Sequence, residues 1–203
     1  MLNLRFHSFL IFLIPVIAIH VSFFLSTSIG ALDLCNPYIE GCLSISRSSR
    51  QPISILFFKV LMIVSGILLF FIWPRILKKS DDSTFKIIGQ IGSIFLIIYV
   101  IALGNDGDAN RFMRQYGVFI FYLSTLSSQW YCSFYMKINS LKLISYLQIA
   151  TTTASIPFYV YLKNDSALEN IFEWWLSLSI NIWFLMYFIY LSNHEQAVNI
   201  NFH

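Results

Sequence analysis

Charged residues are scarce in this chain. They make up 11% of its 203 residues, whereas 57% of the residues are hydrophobic. A soluble domain carries about 25% charged residues and cannot bury this much apolar surface within itself. The formal net charge of +3 is small, and we find no basic patch or glycine-rich phosphate loop that would indicate binding to nucleic acid or nucleotide. The composition therefore excludes an ordinary soluble domain and predicts a membrane protein that binds no nucleic acid.

Histidine and cysteine are also rare, with four and three residues. A catalytic zinc ion usually needs three protein ligands, and no two histidines here have ligand spacing on one helix. His20 lies in the middle of an apolar run, where we expect a packed or hydrogen-bonded side chain. Cys132 also lies in an apolar run and is expected to be a small buried group. We therefore predict no metal site and no cofactor.

Long apolar runs are what the chain has in abundance. Six of them are each about 18 to 23 residues long and almost free of charge, and about 20 helical residues cross the hydrocarbon core of a bilayer. Backbone groups in lipid must form hydrogen bonds within their own segment, so these runs predict helices. We predict an all-α fold, a single domain over residues 1–203 that spans the membrane six times. The predicted helices are at about 8–30, 53–74, 87–104, 115–136, 143–162 and 170–192.

The first apolar run shares two features with a signal peptide. Arg5 precedes it, and the small residues of "STSIGA" follow at its end. However, the run is about twice as long as the usual hydrophobic core of a signal peptide. Asp33 and Leu34 also make "LDLC" a poor lipoprotein cleavage site. We therefore expect a retained first helix.

The distribution of basic residues predicts the orientation in the membrane. With six helices, one side carries both termini and the 75–86 and 137–142 connections, and the other side carries the remaining three loops. The first side holds seven basic residues (Arg5, Arg75, Lys78, Lys79, Lys86, Lys137 and Lys142), and the second holds five (Arg47, Arg50, Arg111, Arg114 and Lys163). The positive-inside rule then places both termini in the cytoplasm. The expected location is a plasma or inner membrane in a bacterium, or an endomembrane or plasma membrane in a eukaryote.

The loop between the first two predicted helices is unusually polar. Its sequence is "CNPYIEGCLSISRSSRQP", residues 35–52. On the oxidising side of a membrane, Cys35 and Cys42 form a disulfide or remain two free thiols. Pro37 and Gly41 favour a tight turn, which can bring the two Cα atoms within the roughly 4.4–6.8 Å that a disulfide needs. We predict that this loop is a pinned lid at the aqueous face of the bundle.

A group of charged residues gathers at the predicted outer face and forms the candidate site. Lys59 and Glu173 lie a few residues inside their helices, where they either snorkel to the interface or point into the bundle. We expect both to point inward, because a lipid-facing charge is costly. Arginine binds phosphate in a bidentate way, so the group suits a phosphate-bearing or zwitterionic lipid head group, although interfacial loops also pair charges among themselves. The candidate residues are Glu40, Arg47, Arg50, Lys59, Asp106, Asp108, Arg111, Arg114 and Glu173.

Three stretches resemble the Frag/DRAM/Sfk family of six-helix membrane proteins. The loop "PYIEGCLSISRSSRQP" with the following "LFFK" resembles that family's first luminal loop, and "LGNDGDANRFMRQYGVFIFY" is similar to its third loop and fourth-helix start. "NIFEWWLSLS" resembles the family's acidic-aromatic pair, here Glu173 and Trp174. The three stretches come in family order. Arg114 stands where the family has a histidine, and a guanidinium group cannot transfer a proton in its place.

The resemblance implies a link to membrane lipid, since the family includes autophagy modulators, a protein tied to lipid asymmetry and a factor that remodels the lipid of GPI anchors. The expected function is binding or organising membrane lipid through the outer polar group, with membrane lipids as partners. The alternative is a lipid-modifying, acyl-remodelling enzyme that uses the same group. In that case Ser44 or Ser46 would need a base such as Glu40. The polar stretches "SLSIN" and "TTTAS" are too short to indicate a pore and favour helix packing.

Overall fold

The regular structure of the described chain is entirely helical. The computed structural model describes residues 3–78, 83–161 and 166–200, and none of these residues lies in a strand. The seven helices of this part are α1 (Leu4–Ser28), α2 (Ile45–Ser48), α3 (Ser54–Ile76), α4 (Thr84–Ala102), α5 (Asp108–Met136), α6 (Asn139–Tyr161) and α7 (Ser166–Ile200). The all-α prediction is confirmed for these residues. Lys79 and Lys163, which contributed to the predicted orientation, lie outside the described residues.

Four of the long helices are long and apolar enough to cross a membrane. They are Leu4–Ser28, Ser54–Ile76, Thr84–Ala102 and the Ser166–Asn193 part of α7. Within the described residues, α5 and α6 have a similar length but are not among the four, because they carry more polar side chains. Helices long and apolar enough to cross a membrane are thus confirmed at four of the six predicted positions. The short α2 was not predicted, since its four residues lie in a polar loop without a hydrophobic period.

The long helices run in alternating directions around a common centre. α1 packs between α3 and α7, α4 packs between α3 and α5, and α6 contacts α5 and α7. At the start of α1, the imidazole of His7 bonds to the Leu68 carbonyl near the end of α3. At the end of α1, the Ser26 hydroxyl is hydrogen-bonded to the Ser54 hydroxyl at the start of α3 (2.9 Å). We call the end of the bundle with residues 29–53 (the opening loop) the loop end, and the end with the start of α1 the opposite end.

A buried polar network joins α5, α6 and α7. The Gln148 amide donates to Gln129 Oε1 (2.8 Å) and to the Ser179 carbonyl (3.3 Å), and it accepts from Trp130 Nε1 (3.1 Å). The Gln129 amide in turn donates to the Ile180 carbonyl (3.0 Å). Such side chains stabilise helix association inside a membrane because their alternative partners there are few.

The same network continues through a buried serine. The Ser133 hydroxyl accepts from Trp183 Nε1 (2.7 Å) and from Ser145 (2.8 Å) and donates to the Gln129 carbonyl (2.8 Å). We call these residues the glutamine network: Gln129, Trp130, Ser133, Ser145, Gln148 and Trp183. The network explains why α5 and α6 carry polar residues at buried positions.

Candidate functional site

The opening loop is held in one shape by its own side chains. Cys35 and Cys42 form a disulfide, with their Cα atoms 6.6 Å apart. Between them, the Glu40 carboxylate accepts from the Asn36 backbone N–H (2.8 Å), and the Asn36 side chain accepts from the Tyr38 N–H (3.1 Å). The predicted turn and disulfide are therefore both present. Glu40 therefore closes this turn through one of its carboxylate oxygens.

The same loop is docked onto the start of α7 by three side-chain donors. Asn170 donates to the Gly41 carbonyl (2.8 Å), Trp174 to the Leu43 carbonyl (2.8 Å) and Trp175 to the Tyr38 carbonyl (3.1 Å). Gly41 has a φ of +59°, and a Cβ atom there would lie 1.9 Å from the Ala167 carbonyl oxygen. Only glycine allows this backbone conformation together with this close approach.

A second set of contacts ties the loop to α1. His20 Nδ1 donates to the Val16 carbonyl (2.8 Å), because a carbonyl only accepts, so its Nε2 accepts from the Tyr38 hydroxyl (2.8 Å). Burial raises the pKa of Tyr38 to about 12, which keeps this hydroxyl a donor. The Ser26 hydroxyl also donates to the Ser48 carbonyl (2.6 Å). The loop is polar because its backbone and side chains bond to the ends of α1 and α7.

A cavity of about 50 Å³ lies beneath the docked loop, between α1, α3, α4, α5 and α7. Ile45 of α2 covers it at the loop end, and apolar side chains form most of its wall. On α7, Glu173 is followed four and eight residues later by Ser177 and Asn181, so the three lie on one face of the helix. We call this space the Glu173 cavity; its polar lining residues are Ser65, Tyr99, Tyr122, Glu173, Ser177 and Asn181.

The polar groups of the Glu173 cavity are incompletely bonded. Glu173 accepts from the Ile45 backbone N–H at 3.4 Å, and the Tyr122 and Ser177 hydroxyls bond to each other. Ser65 is only 2% exposed, yet its hydroxyl has no hydrogen-bond partner among the described residues. Buried polar groups are nearly always bonded, so Ser65 and Glu173 retain unused hydrogen-bonding capacity at the cavity.

A second, polar pocket of about 340 Å³ opens on the surface of the loop end. The opening loop and the start of α5 supply its three guanidinium groups, and the α4–α5 connection supplies a single carboxylate, from Asp106. The Arg114 guanidinium donates to the Asn105 carbonyl (2.6 Å) and the Ala102 carbonyl (3.2 Å), which fixes its position. We call this the arginine pocket; it is lined by Arg47, Arg50, Gln51, Gly104, Asn105, Asp106 and Arg114.

Tyr99 lies between the two spaces. It lines the Glu173 cavity and is close enough to Glu173, Arg50 and Arg114 to interact with all three charges. The arginine pocket and the Glu173 cavity are thus neighbours at the loop end.

The structure therefore divides the nine candidate residues between several places. Arg47, Arg50, Asp106 and Arg114 come together in the arginine pocket, and Glu173 lines the cavity. The Lys59 ammonium donates to the Ile101 carbonyl at the end of α4 (3.3 Å), so the structure does not join it to Glu173. The other members of the set have separate roles or positions: Glu40 in the turn, Asp108 in the first turn of α5 and Arg111 exposed on α5.

The sequence analysis did not identify most of the polar groups that line the Glu173 cavity or that dock the opening loop over it. The spacing of Glu173, Ser177 and Asn181 is a helical period that could have been found within "NIFEWWLSLSIN". The docking bonds of Trp174 and Asn170 have no such signal, since their partners lie 131 and 129 residues away in the chain.

Comparison with known proteins identifies no relative of this chain. The chain matches no protein-family model, no curated protein and no solved structure.

Proposed function

We propose that this protein is a multi-pass integral membrane protein that binds an anionic lipid head group in the arginine pocket. In this proposal all six long helices cross the membrane, both termini lie in the cytoplasm and the loop end faces the outside. The four apolar helices, the alternating helix directions and the surplus of basic residues at the opposite end support it. The buried glutamine network supports the crossing of α5 and α6, because it turns their polar side chains away from lipid.

The observation that carries the proposal is the convergence of three arginines on one pocket. Arg47, Arg50 and Arg114 contribute three positive charges and Asp106 one negative charge, a balance of +2. Arg50 uses only its Nε within the described residues, in a bond to the Ser46 carbonyl (3.1 Å). Its two terminal amino groups face no protein partner there, and guanidinium groups bind phosphate oxygens in a bidentate way.

The rigid loop strengthens this argument. Arg47 and Arg50 follow the disulfide-closed turn and lie on a segment that hydrogen bonds fix to α1 and α7. Binding then orders few additional groups, which lowers the entropic cost of association. The apolar wall of the bundle beside the pocket would accommodate the acyl chains of the same lipid.

The acyl-remodelling alternative has less support. Ser44 accepts from the Arg47 N–H (3.2 Å) and caps α2, and its hydroxyl bonds to that of Ser46 (3.2 Å). Glu40, the base that this reaction would need, is bonded to the Asn36 N–H instead. We therefore favour lipid binding without a catalysed reaction. The resemblance to the Frag/DRAM/Sfk family remains a prediction, and it agrees with this proposal.

Thermal unfolding of the purified protein with added lipid tests the proposal. We expect short-chain phosphatidylglycerol to raise the unfolding temperature more than phosphatidylcholine with the same acyl chains. At a concentration a hundredfold above its Kd, a bound lipid increases the free energy of unfolding by roughly 2–3 kcal/mol. The double variant Arg47→Gln/Arg50→Gln should lose this difference. Arg111→Gln removes one guanidinium charge from an exposed position outside the pocket, and this variant should retain the difference.

Two results would contradict the proposal. One is equal stabilisation by both lipids in the unmodified protein, and the other is an undiminished response of the double variant to phosphatidylglycerol. Native mass spectrometry of the protein purified in a mild detergent gives a second readout, since an anionic lipid should be retained and should be depleted in the double variant alone.

A further inference from the structure

The charge of the Glu173 cavity is not balanced by the residues that line it. Glu173 is the acidic side chain there, and the other polar groups of its described lining are neutral hydroxyls and an amide. Within the described residues its carboxylate accepts one hydrogen bond, the 3.4 Å bond from the Ile45 N–H. A carboxylate in an apolar interior is costly unless it is paired and hydrogen-bonded. Without a compensating cation such a group stays protonated and neutral, so an ionised Glu173 requires a positive charge in the cavity.

The second, independent observation is the unpartnered hydroxyl of Ser65. This side chain on α3 also lines the cavity, and it is 2% exposed without a partner in the described part of the chain. A helical serine can satisfy itself by donating to a carbonyl one turn earlier, as Ser93 does to Gly89 (2.8 Å). Ser65 does not, so its oxygen is left available to an occupant of the cavity.

We propose that the Glu173 cavity binds one monovalent metal cation, such as Na⁺, with the Glu173 carboxylate as its charged ligand. The hydroxyl oxygens of Ser65, Tyr122 and Ser177 and a few water molecules complete its surroundings. Oxygen ligands suit hard cations. In the described residues, no group of three His, Cys, Asp or Glu side chains comes together as transition-metal sites require.

The size and charge of the cavity limit which cation can occupy it. The cavity has about 50 Å³, and one water-sized occupant needs about 10–15 Å³ of such volume, so an ion with a few waters fits but a lipid amine with its chain does not. A single carboxylate neutralises one positive charge, whereas a divalent ion would leave net charge in an apolar wall. The cavity and the arginine pocket have no lining residue in common, so the cation proposal does not rest on the proposed lipid binding.

Cation-dependent unfolding tests the site. The full-length protein in detergent is exchanged into N-methylglucamine chloride, a salt whose cation is too large for the cavity, and is then titrated with NaCl at constant ionic strength. We expect a saturable rise of the unfolding temperature with Na⁺. In Glu173→Gln the rise should be absent, and in Ser65→Ala the apparent Na⁺ affinity should fall about tenfold, the size expected for about 1.4 kcal/mol of lost interaction.

Glu169→Gln is the matched control. Glu169 lies one turn earlier on α7, is exposed and does not line the cavity, so its variant should respond to Na⁺ as the unmodified protein does. Equal stabilisation by Na⁺ and N-methylglucamine, or loss of the response in Glu169→Gln as well, would overturn the site. If Glu173→Gln does not fold, binding of radioactive ²²Na⁺ to Ser65→Ala decides instead, and an unchanged affinity there overturns the proposal.

Discussion

The glutamine network and the Glu173 cavity are two polar regions inside one bundle, and they differ in how completely their groups are bonded. Gln129, Gln148 and Ser133 are fully buried, and every side-chain oxygen and nitrogen among them has a partner. In the cavity, the Ser65 hydroxyl has none among the described residues, and Glu173 has one long contact. Polar residues of the first kind hold helices together, whereas those of the second kind leave bonding capacity for a ligand.

The two regions also differ in how they are closed. The network links α5, α6 and α7 directly through side chains, while the cavity is covered by a loop that itself has to be docked. Four variants distinguish the glutamine network from the loop-covered cavity, and they are ordered here from the largest expected effect on stability to the smallest.

Gly41→Ala should have the largest effect on stability, because it displaces the opening loop from α7 and so uncovers the Glu173 cavity. The new Cβ would clash with the Ala167 carbonyl oxygen, and the left-handed conformation alone costs about 1–2 kcal/mol. We expect more than about 2 kcal/mol of destabilisation in thermal unfolding and faster tryptic cleavage after Arg47 and Arg50. Gly30→Ala is the control, since Gly30 has a φ of +69° but nothing within 4 Å of its Cβ position. Equal effects of the two substitutions would show that the close approach to α7 does not matter.

Gln148→Leu should destabilise the glutamine network. It leaves Gln129 Oε1 and Trp130 Nε1 without their partner, and a buried unsatisfied group costs about 1–3 kcal/mol. We expect about 2 kcal/mol lower free energy of unfolding, with tryptic cleavage of the opening loop unchanged. Gln115→Leu, at an exposed position of α5, should change stability by less than about 0.5 kcal/mol. If Gln148→Leu left the free energy of unfolding unchanged, the distinction between the glutamine network and the Glu173 cavity would be lost.

Removing the disulfide should have a smaller effect. In the double variant Cys35→Ser/Cys42→Ser the loop keeps its bonds from Asn170, Trp174 and Trp175, so we expect a loss of only about 1–2 kcal/mol. The same bond is checked by alkylation: in the native, unreduced protein both thiols should resist modification and react after reduction. Full alkylation without reductant would mean that the loop is held by its docking bonds alone.

The smallest effect is expected for Ser65→Ala in the absence of Na⁺. The Ser65 hydroxyl bonds to no described residue, so its removal should change the free energy of unfolding by less than about 0.5 kcal/mol. Ser133→Ala, at an equally buried serine, removes three hydrogen bonds and should cost about 1–2 kcal/mol. Similar losses in the two variants would contradict the contrast between bonded and open regions.

The long apolar helices could be predicted from the sequence because lipid imposes their length and composition. The arginine pocket was predicted in part, since Arg47, Arg50, Asp106 and Arg114 all lie near helix ends on one predicted side. Lys59 was expected to point into the bundle, as Glu173 was, and its ammonium group bonds to the Ile101 carbonyl, a partner that only the packing of α3 against α4 determines. The docking of the opening loop depends on side chains far away in the chain, for which no local pattern exists.

The docking bonds of the opening loop also set the order in which the molecule can be assembled. Asn170 reaches Gly41 across 129 residues, so the loop waits for the last long helix while the ribosome makes the intervening chain. At about 5–20 residues per second this wait lasts roughly 6–26 s. The Cys35–Cys42 ring, with a separation of 7 residues, is local and can close during that time. The cover of the Glu173 cavity therefore takes its shape early and docks last, and a chain that stops before α7 would lack both the docking partners of the loop and the α7 wall of the cavity.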